Sequence, residues 1–352
     1  MAQTEEAFSE KLMDALNNAA LGMGIAMGDY MGLFKAMAEL EKSVTSSELA
    51  ERAGLNERYV REWLGIMVTG GVVIANKDDN SFVLPKHYAK FLTPGFDSIA
   101  HQFKWLFMLS LNQKELRHCF KEGGGIPYSS YPEFHDWMNE YSVKRHNALL
   151  LQQHIPSIKG LTEKLQSGAK CLDIGCGMGS PSLMLAAKFP NSEFFGYDIS
   201  EETVKSANLE AAKRGLGNAK FFVKNCANIC DAEDGVFDLV TSFDAIHDQA
   251  SPGKVLSFVY RLLKPGGWFS VVDVKAHSHS ADNVGMPMSS MKYAESLFHC
   301  MPVSLYFKGG AGLGTCWGIE LAQQMLKDAG FPHVEVKDIP GDDYNTHILC
   351  IK

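Results

Sequence analysis

The stretch that decides the fold is Cys171-Leu172-Asp173-Ile174-Gly175-Cys176-Gly177-Met178-Gly179, followed after a helix-length interval by Phe194-Phe195-Gly196-Tyr197-Asp198. An apolar strand runs into a loop with glycine at every second position, then a helix, then a second strand that ends in an acid. Glycines at 175, 177 and 179 allow a sharp turn and let a ligand lie against the backbone at the next helix N-terminus. Asp198 stands where a carboxylate accepts both hydroxyls of a ribose. The pattern predicts a βαβ unit with an adenosine-shaped site.

The spacing of the loop residues distinguishes between the cofactors that contain adenosine. A dinucleotide fingerprint aligned on Gly175 and Gly177 requires glycine at 180, where the chain has Ser180 and then Pro181. A P-loop requires Gly-Lys-Ser/Thr, which the loop lacks. The remaining pattern is D-x-G-x-G-x-G, in which Asp173 is placed to meet the charged amino group of an amino-acid tail.

This pattern resembles motif I of the class I S-adenosylmethionine-dependent methyltransferases. The resemblance extends along residues 160–352, with further strands predicted at 220–223, 237–243, 268–274, 334–338 and 347–351, and a helix at 319–329. It implies an α/β Rossmann-like domain whose seven-stranded sheet is mostly parallel, with S-adenosyl-L-methionine as the cofactor. It also implies cofactor contacts at Asp173, Gly175, Cys176, Gly177, Gly179, Asp198, Ile199, Asn225, Cys226 and Phe243. Asn225 stands where the family usually has an acid.

The residues after the predicted fourth strand are the candidates for chemistry. Phe243-Asp244-Ala245-Ile246-His247-Asp248-Gln249 places His247 and Asp248 beyond the carboxyl end of that strand, the edge where open α/β sheets hold ligands. In plant-type small-molecule O-methyltransferases a similar His-Asp pair supplies the general base. His247, which titrates near neutrality, suits a hydroxyl or thiol acceptor. Gln249 replaces the tryptophan that usually follows, so a positioning role for His247 stays open.

A different kind of sequence precedes the cofactor domain. Residues 45–60 combine a capping threonine, an amphipathic helix, a glycine turn and a second helix starting near Asn56, and residues 70–74 and 81–84 predict a β-hairpin. This is the outline of a winged helix. Residues 1–100 of the chain include nine basic and fourteen acidic residues. This acidic balance disfavours DNA binding, since nucleic-acid affinity depends largely on phosphate neutralisation.

The resemblance to winged-helix methyltransferases implies three regions. Residues 1–95 form a winged-helix, dimerising domain, residues 96–158 a helical connector that walls the substrate pocket, and residues 159–352 the cofactor domain with an insert at 276–318. The sequence of the connector predicts a helix over 101–120, a triglycine break at 123–125 and a helix over 139–155. The insert is glycine-rich at 309–318, so we expect it to be mobile or pressed against a ligand. Candidate residues for the substrate pocket are Trp105, Tyr141, His299 and Trp317.

Composition bounds the remaining possibilities. The chain has 352 residues, 46% of them hydrophobic, with a net charge of −8 and eight cysteines. The start of the chain is acidic, with Glu5, Glu6 and Glu10 where a signal peptide needs positive charge, and the cysteines form no C-x-x-C pair, so we expect a cytosolic protein with reduced thiols and no metal site. The two strings at 297–305 and 309–318 closely resemble winged-helix class I methyltransferases known from mycobacteria and also found in animals.

The predicted function is transfer of a methyl group to the oxygen, sulfur or nitrogen of a small molecule by a homodimer that binds neither nucleic acid nor membrane. The alternatives are a protein or nucleic-acid methyltransferase and a catalytically silent cofactor sensor or DNA-binding protein.

Overall fold

The computed structural model describes residues 4–95, 98–229 and 234–352. The chain divides into two compact units, Met1–Met108 and Leu109–Lys352. Of the helices in the described ranges, none combines the length and the apolar character that crossing a bilayer requires.

The N-terminal unit is a helical domain with one small β-hairpin. Its core is formed by side chains such as Phe34, Leu49, Leu64 and Met67, all fully buried. Its elements in chain order are α1 (Glu5–Tyr30), α2 (Leu33–Leu40), α3 (Ser46–Ala53), α4 (Glu57–Thr69), β1 (Ile74–Asn76), β2 (Ser81–Val83), α5 (Lys86–Leu92) and α6 (Ala100–Ser110).

The winged-helix prediction is confirmed, with one correction to the hairpin. Thr45 caps α3 by accepting a hydrogen bond from the Glu48 amide at 3.2 Å, and Asn56 caps α4. The predicted first strand at 70–74 is wrong, because Gly70 closes α4 and Gly71 turns the chain with a φ of 72°. The strand begins only at Ile74, which pairs with Val83.

The C-terminal unit is built on a seven-stranded sheet of order β5-β4-β3-β6-β7-β9-β8, in which only β9 runs antiparallel to its neighbours. The strands are β3 (Lys170–Ile174), β4 (Glu193–Asp198), β5 (Ala219–Val223), β6 (Phe237–Phe243), β7 (Leu263–Val274), β8 (His333–Ile339) and β9 (Asp342–Ile351). The helices are α7 (Gln113–Glu122), α8 (Phe134–Leu149), α9 (Ile155–Ser157), α10 (Leu161–Ser167), α11 (Ser180–Lys188), α12 (Glu201–Lys213), α13 (Pro252–Leu262), α14 (Ser289–Glu295), α15 (Met301–Leu305) and α16 (Ile319–Asp328).

The predicted α/β fold and all seven strands are confirmed, although β9 begins at Asp342, five residues before the predicted 347. Apolar side chains on both faces of the sheet form two cores, as expected for a parallel sheet covered by helices. Strand β3 lies between β4 and β6 and runs parallel to both, so the carboxyl ends of these three strands lie side by side. The residues that follow these strands therefore meet at one edge of the sheet.

Two helical predictions need correction. The single helix expected over 101–120 is interrupted, because α6 ends at Ser110 and α7 begins at Gln113. The helix expected over 139–155 starts earlier, at Phe134, and its last turn widens into a π-helix at Leu150–His154.

The insert at 276–318 is folded rather than a loop. It contains α14, a π-helical turn at Ser296–Cys300 and α15. Two of its glycines pack against the protein itself: a Cβ at Gly310 would lie 2.0 Å from the Ser304 carbonyl oxygen, and one at Gly314 would lie 2.1 Å from the Ser296 hydroxyl. Close approach of the Ser304 backbone at Gly310 and of the Ser296 side chain at Gly314 thus accounts for these two glycines.

Candidate active site

The glycine loop after β3 is shaped as the sequence predicts. Gly175, Gly177 and Gly179 all have positive φ, and a Cβ at Gly179 would lie 2.6 Å from the Phe221 ring. Around Gly177, with a φ of 51°, a Cβ would meet nothing within 4 Å. The loop therefore packs tightly at its end and leaves open space over its middle, where a ligand has room beside the backbone.

Asp198 ends β4 with its carboxylate facing this loop. Its Oδ2 accepts a hydrogen bond from the Gly177 amide at 2.8 Å, and its Oδ1 accepts one from the Ser200 amide at 2.9 Å. The structure thus brings together two residues that the sequence predicts to bind one cofactor.

Asp173 lies beneath the loop, buried between neighbouring strands. Its carboxylate accepts hydrogen bonds from Thr241 Oγ1 at 2.8 Å and from Ser182 Oγ at 3.5 Å. Burial raises the pKa of Asp173 to about 7, despite the hydrogen bond from Thr241. A buried carboxyl of this kind is stabilised in its charged form by a cation, such as the amino group of an amino-acid tail.

The other predicted cofactor residues surround the same edge. Ile199 is 45% exposed directly after Asp198, and Cys176 and Cys226 are buried. The Asn225 side-chain oxygen accepts a hydrogen bond from the Ala227 amide at 3.0 Å, so it shapes its own loop. Phe243 ends β6, with the His146 ring edge-on at 4.8 Å. Their contacts with a cofactor stay predictions.

His247 and Asp248 follow β6 and form a buried acid-base cluster with Asp273. His247 Nδ1 lies 2.6 Å from Asp273 Oδ1, and Nε2 lies 3.4 Å from Asp248 Oδ1. Burial by itself favours the neutral ring, but Asp273 and Asp248 outweigh it and raise the pKa of His247 well above its usual value. The two neighbouring carboxyl groups therefore favour the charged form of the His247 ring.

Sequence reasoning missed three members of this cluster. Asp273 lies on β7, and an acid within an apolar strand was a visible signal. Tyr128 donates its phenolic proton to Asp248 Oδ2 at 2.9 Å. Cys300 brings its sulfur to His247 and Asp248, so that donor atoms of these three residues lie within 4.8 Å of one another. Tyr128 and Cys300 lie 120 and 52 residues from Asp248 along the chain, so no local sequence pattern indicates these contacts.

The four predicted pocket residues lie in four different settings. His299 is buried against Phe134, with ring centres 4.3 Å apart, and against Tyr131 and Tyr128; burial lowers its pKa to about 3. Tyr141 stacks on Trp137 at 5.6 Å. Trp317 is buried in the core on one face of the sheet, and Trp105 is buried in the N-terminal unit. His299 therefore neighbours the acid-base cluster through Tyr128. Substrate contact by these four residues stays a prediction.

A buried ion network fixes the turn that carries His247. Asp244 has a φ of 50°, an unusual conformation for a residue other than glycine. Arg145 on α8 donates hydrogen bonds to Asp244 Oδ2 at 2.7 Å and to Asp342 Oδ2 at 2.8 Å, and Asn345 donates to Asp244 Oδ1. The network holds α8, the turn after β6 and β9 together.

Comparison with known families agrees with this geometry. Residues 165–330 match a family model described as a methyltransferase domain, and residues 19–94 match one described as an Rv2258c-like winged HTH domain. The chain carries a methyltransferase domain. The predicted class of protein, its cofactor S-adenosyl-L-methionine and the winged helix are thereby confirmed.

Curated relatives of the methyltransferase domain include a sterol methyltransferase and a squalene methyltransferase. Sterol 24-C-methyltransferase of Saccharomyces cerevisiae is 26% identical over 179 residues, which are 51% of this chain and 43% of the yeast protein. Squalene methyltransferase 1 of Botryococcus braunii is 33% identical over 112 residues, 31% of this chain and 29% of that protein. The chain spans less than half the length of these curated relatives.

Solved structures resemble the whole chain. A putative O-methyltransferase of Nostoc punctiforme has a TM-score of 0.74 at 20% identity, with full coverage of both chains. Human N-acetylserotonin methyltransferase in complex with SAM has a TM-score of 0.70 at 17% identity, covering 100% of this chain and 99% of that one. The methyltransferase domain and the segment before it thus share their fold with these proteins.

Proposed function

We propose that the protein transfers a methyl group from S-adenosyl-L-methionine to a small-molecule acceptor. One observation carries the proposal: the open glycine loop, Asp198 and the His247–Asp248 pair lie at the carboxyl edge of adjacent strands. A cofactor and a proton-handling pair can therefore meet there. The methyltransferase family match supports the same activity.

The residues at this edge fit the proposed cofactor. Asp198 suits the ribose hydroxyls, the open space at Gly177 accommodates the chain between sugar and amino acid, and buried Asp173 suits the amino group. When bound, S-adenosylmethionine would supply a methyl group on a positively charged sulfur, and the sulfur would be the leaving group when an in-line nucleophile attacks the methyl carbon. The protein's own contribution is to align the acceptor, exclude water and handle the acceptor's proton.

A small-molecule acceptor fits the buried cluster better than a macromolecule does. His247 is 3% exposed, and aromatic rings from residues 128–141 cover this side of the unit. The winged helix gives little support to a DNA-binding role, because the arginines of α4 are engaged on their own helix, Arg58 with Glu62 and Arg61 with Glu57. We therefore favour the enzyme over the sensor and DNA-binding alternatives.

We also propose a cytoplasmic homodimer. The face of α1 carries Phe8, Leu12, Met13 and Leu16, each more than half exposed. Exposed apolar patches of this kind mark association surfaces, and a second copy offers the same complementary face. All seven cysteines within the described ranges are free thiols, which suits a reducing compartment.

Mass spectrometry of the nucleoside that co-purifies with the protein tests the proposed activity. We expect S-adenosylmethionine or S-adenosylhomocysteine. Recovery of NAD instead would refute the proposal. Light scattering on a sizing column tests the dimer, which the proposal expects to dissociate when Leu12 and Leu16 are both changed to glutamate.

A further inference from the structure

Two histidines of the C-terminal unit are buried without hydrogen-bond partners. His146 is 2% exposed and His154 is 3% exposed, and within the described part of the chain neither nitrogen of either ring forms a hydrogen bond. Burial lowers the pKa of His154 to about 3 and that of His146 well below its usual value, so both rings are neutral. A neutral imidazole carries one N–H donor and one acceptor. Buried polar atoms without partners are costly, so four of them together indicate that a polar group binds there.

A π-helical turn brings the two rings toward the same side of their helix. His146 lies on α8, and His154 ends the π-helix Leu150–His154 that continues α8. Eight residues of a regular α-helix make about 2.2 turns, which would leave the two side chains about 80° apart around the axis. A π-helical turn holds more residues than an α-helical one and therefore reduces this offset. Turns of this kind are frequent at functional sites, and here the turn lets both histidines face one residue of the sheet.

That residue is Phe243, at the carboxyl end of β6. The His146 ring stands edge-on to Phe243 with ring centres 4.8 Å apart, and the His154 ring lies parallel to it with ring centres 6.3 Å apart. Two residues earlier on the same strand, Thr241 donates a hydrogen bond to Asp173. Side chains two residues apart on a strand point to the same face and lie about 6.6 Å apart. The two histidines therefore stand one strand repeat beyond the partner of Asp173.

This separation matches the two charged groups of an amino acid. Asp173 is the residue that suits the amino group of the cofactor's tail, and the tail carries its carboxylate on the same carbon as that amino group. With one hydrogen bond of about 2.8 Å at each end, the ammonium and carboxylate groups together span roughly 8 Å. A tail held by Asp173 can therefore reach a donor near Phe243. A carboxylate only accepts hydrogen bonds, so it suits the N–H group of each ring.

We propose that His146 and His154 bind the carboxylate of the amino-acid tail of S-adenosyl-L-methionine, while Asp173 binds its amino group. The inference rests on the proposed function. Arg145 adds a positive charge beside the two rings, where its charge contributes to their lowered pKa values, and its buried Nη2 has no hydrogen-bond partner among the described residues. The two rings then distinguish a complete methyl donor from adenosine compounds that lack the acid group.

Calorimetric titration of the full-length protein with two ligands tests this assignment. One ligand is S-adenosylhomocysteine, and the other is its decarboxylated analogue, which keeps the amine and lacks only the carboxylate. We expect the wild type to bind the first roughly 10- to 100-fold more tightly, the scale of hydrogen bonds to a charged group. His146→Phe and His154→Phe keep a flat ring without nitrogen, and each should reduce this preference about tenfold. His154→Gln, which keeps an N–H donor, should retain part of it.

His347→Asn is the matched control. The His347 ring centre lies 6.0 Å from that of His154, but its Nε2 already hydrogen-bonds Ser270 at 2.8 Å. The variant should keep the full preference for the carboxylate. Circular dichroism checks that each variant is folded.

Nitrogen NMR of labelled histidine in the wild type needs no folded variant. S-adenosylhomocysteine should shift the ring signals of His146 and His154, and the decarboxylated analogue should leave them close to those of the free protein. Equal binding of the two ligands by the wild type, unchanged histidine signals, or a preference that both phenylalanine variants retain would overturn the inference, with ordered water as the partner of the rings. Failure of the wild type to bind S-adenosylhomocysteine overturns the proposed function instead, whereas tight binding without a carboxylate preference overturns this inference alone.

Discussion

His247 Nδ1 lies 2.6 Å from Asp273 Oδ1, and both side chains are almost completely buried. The Asp273 carboxylate therefore favours the charged ring against the cost of burial. Asp273→Asn removes this charge, and we expect the pKa of His247 to fall. Nitrogen NMR of labelled histidine should show both ring nitrogens protonated at about pH 7.5 in the wild type and one in the variant.

Asp338→Asn is the control for this measurement, because Asp338 is exposed and pairs with Lys275 at the surface. The His247 signals should not change in it. A neutral His247 in the wild-type protein at that pH would contradict the arrangement.

The middle glycine of the loop allows a matched test of cofactor contact. Gly177 and Gly215 both have positive φ, and a Cβ at either would meet nothing within 4 Å. Changing either to alanine should lower the free energy of unfolding by about 1 to 2 kcal/mol, the cost of a left-handed alanine. Only Gly177→Ala should also weaken S-adenosylhomocysteine binding, as measured by calorimetry. Equal affinities of the two variants would mean that the cofactor does not lie against Gly177.

The buried network around Arg145 predicts a large loss of stability. Arg145→Ala leaves Asp244 and Asp342 without their cation, and we expect the free energy of unfolding to fall by about 3 to 5 kcal/mol. Lys144→Ala removes the neighbouring pair with Glu140, which lies near the surface, and should cost at most about 1 kcal/mol. Urea unfolding compares the two. Equal losses would show that the network does not hold α8 to the sheet.

A buried histidine predicts loss of stability in acid. His347 hydrogen-bonds Ser270 at 2.8 Å, and burial lowers its pKa to about 4. Below the unfolded pKa of about 6.5 the unfolded chain binds a proton that the folded protein does not, so the free energy of unfolding falls with pH. Between pH 7 and pH 5 the wild type should lose about 2 kcal/mol more than His347→Asn. The exposed His118→Asn should follow the wild type, and parallel curves for all three proteins would refute the assignment.

Much of the fold follows from local sequence. The glycine loop, the apolar strands and the acid at 198 are short-range patterns, and each of them lies where expected. The hairpin at 70–74 was misplaced because Val72 and Val73 have strand propensity, whereas Gly70 and Gly71 turn the chain there. The break near Asn112 was missed because neither glycine nor proline stands there to indicate it.

The site was only partly predictable for a related reason. Asp198 and Gly177 meet because their strands are neighbours, which the βαβ pattern already implies. The contact of Tyr128 with Asp248 spans 120 residues and depends on how the segment after the triglycine packs on the insert, where the Ile126 amide donates to the Pro302 carbonyl. No spacing rule encodes such a contact.

Calorimetric titration with S-adenosylhomocysteine tests the central claim most directly, with Asp198→Ala and Glu193→Ala as a matched pair of variants. Both acids lie on β4, Asp198 at the end beside the loop and Glu193 at the other end. We predict one site per chain, with affinity weakened about 10- to 100-fold in Asp198→Ala, the scale of 1.5 to 3 kcal/mol for hydrogen bonds to a charged group. Glu193→Ala should bind as the wild type does. No binding by the wild type, or equal affinities for Asp198→Ala and the wild type, would contradict the account.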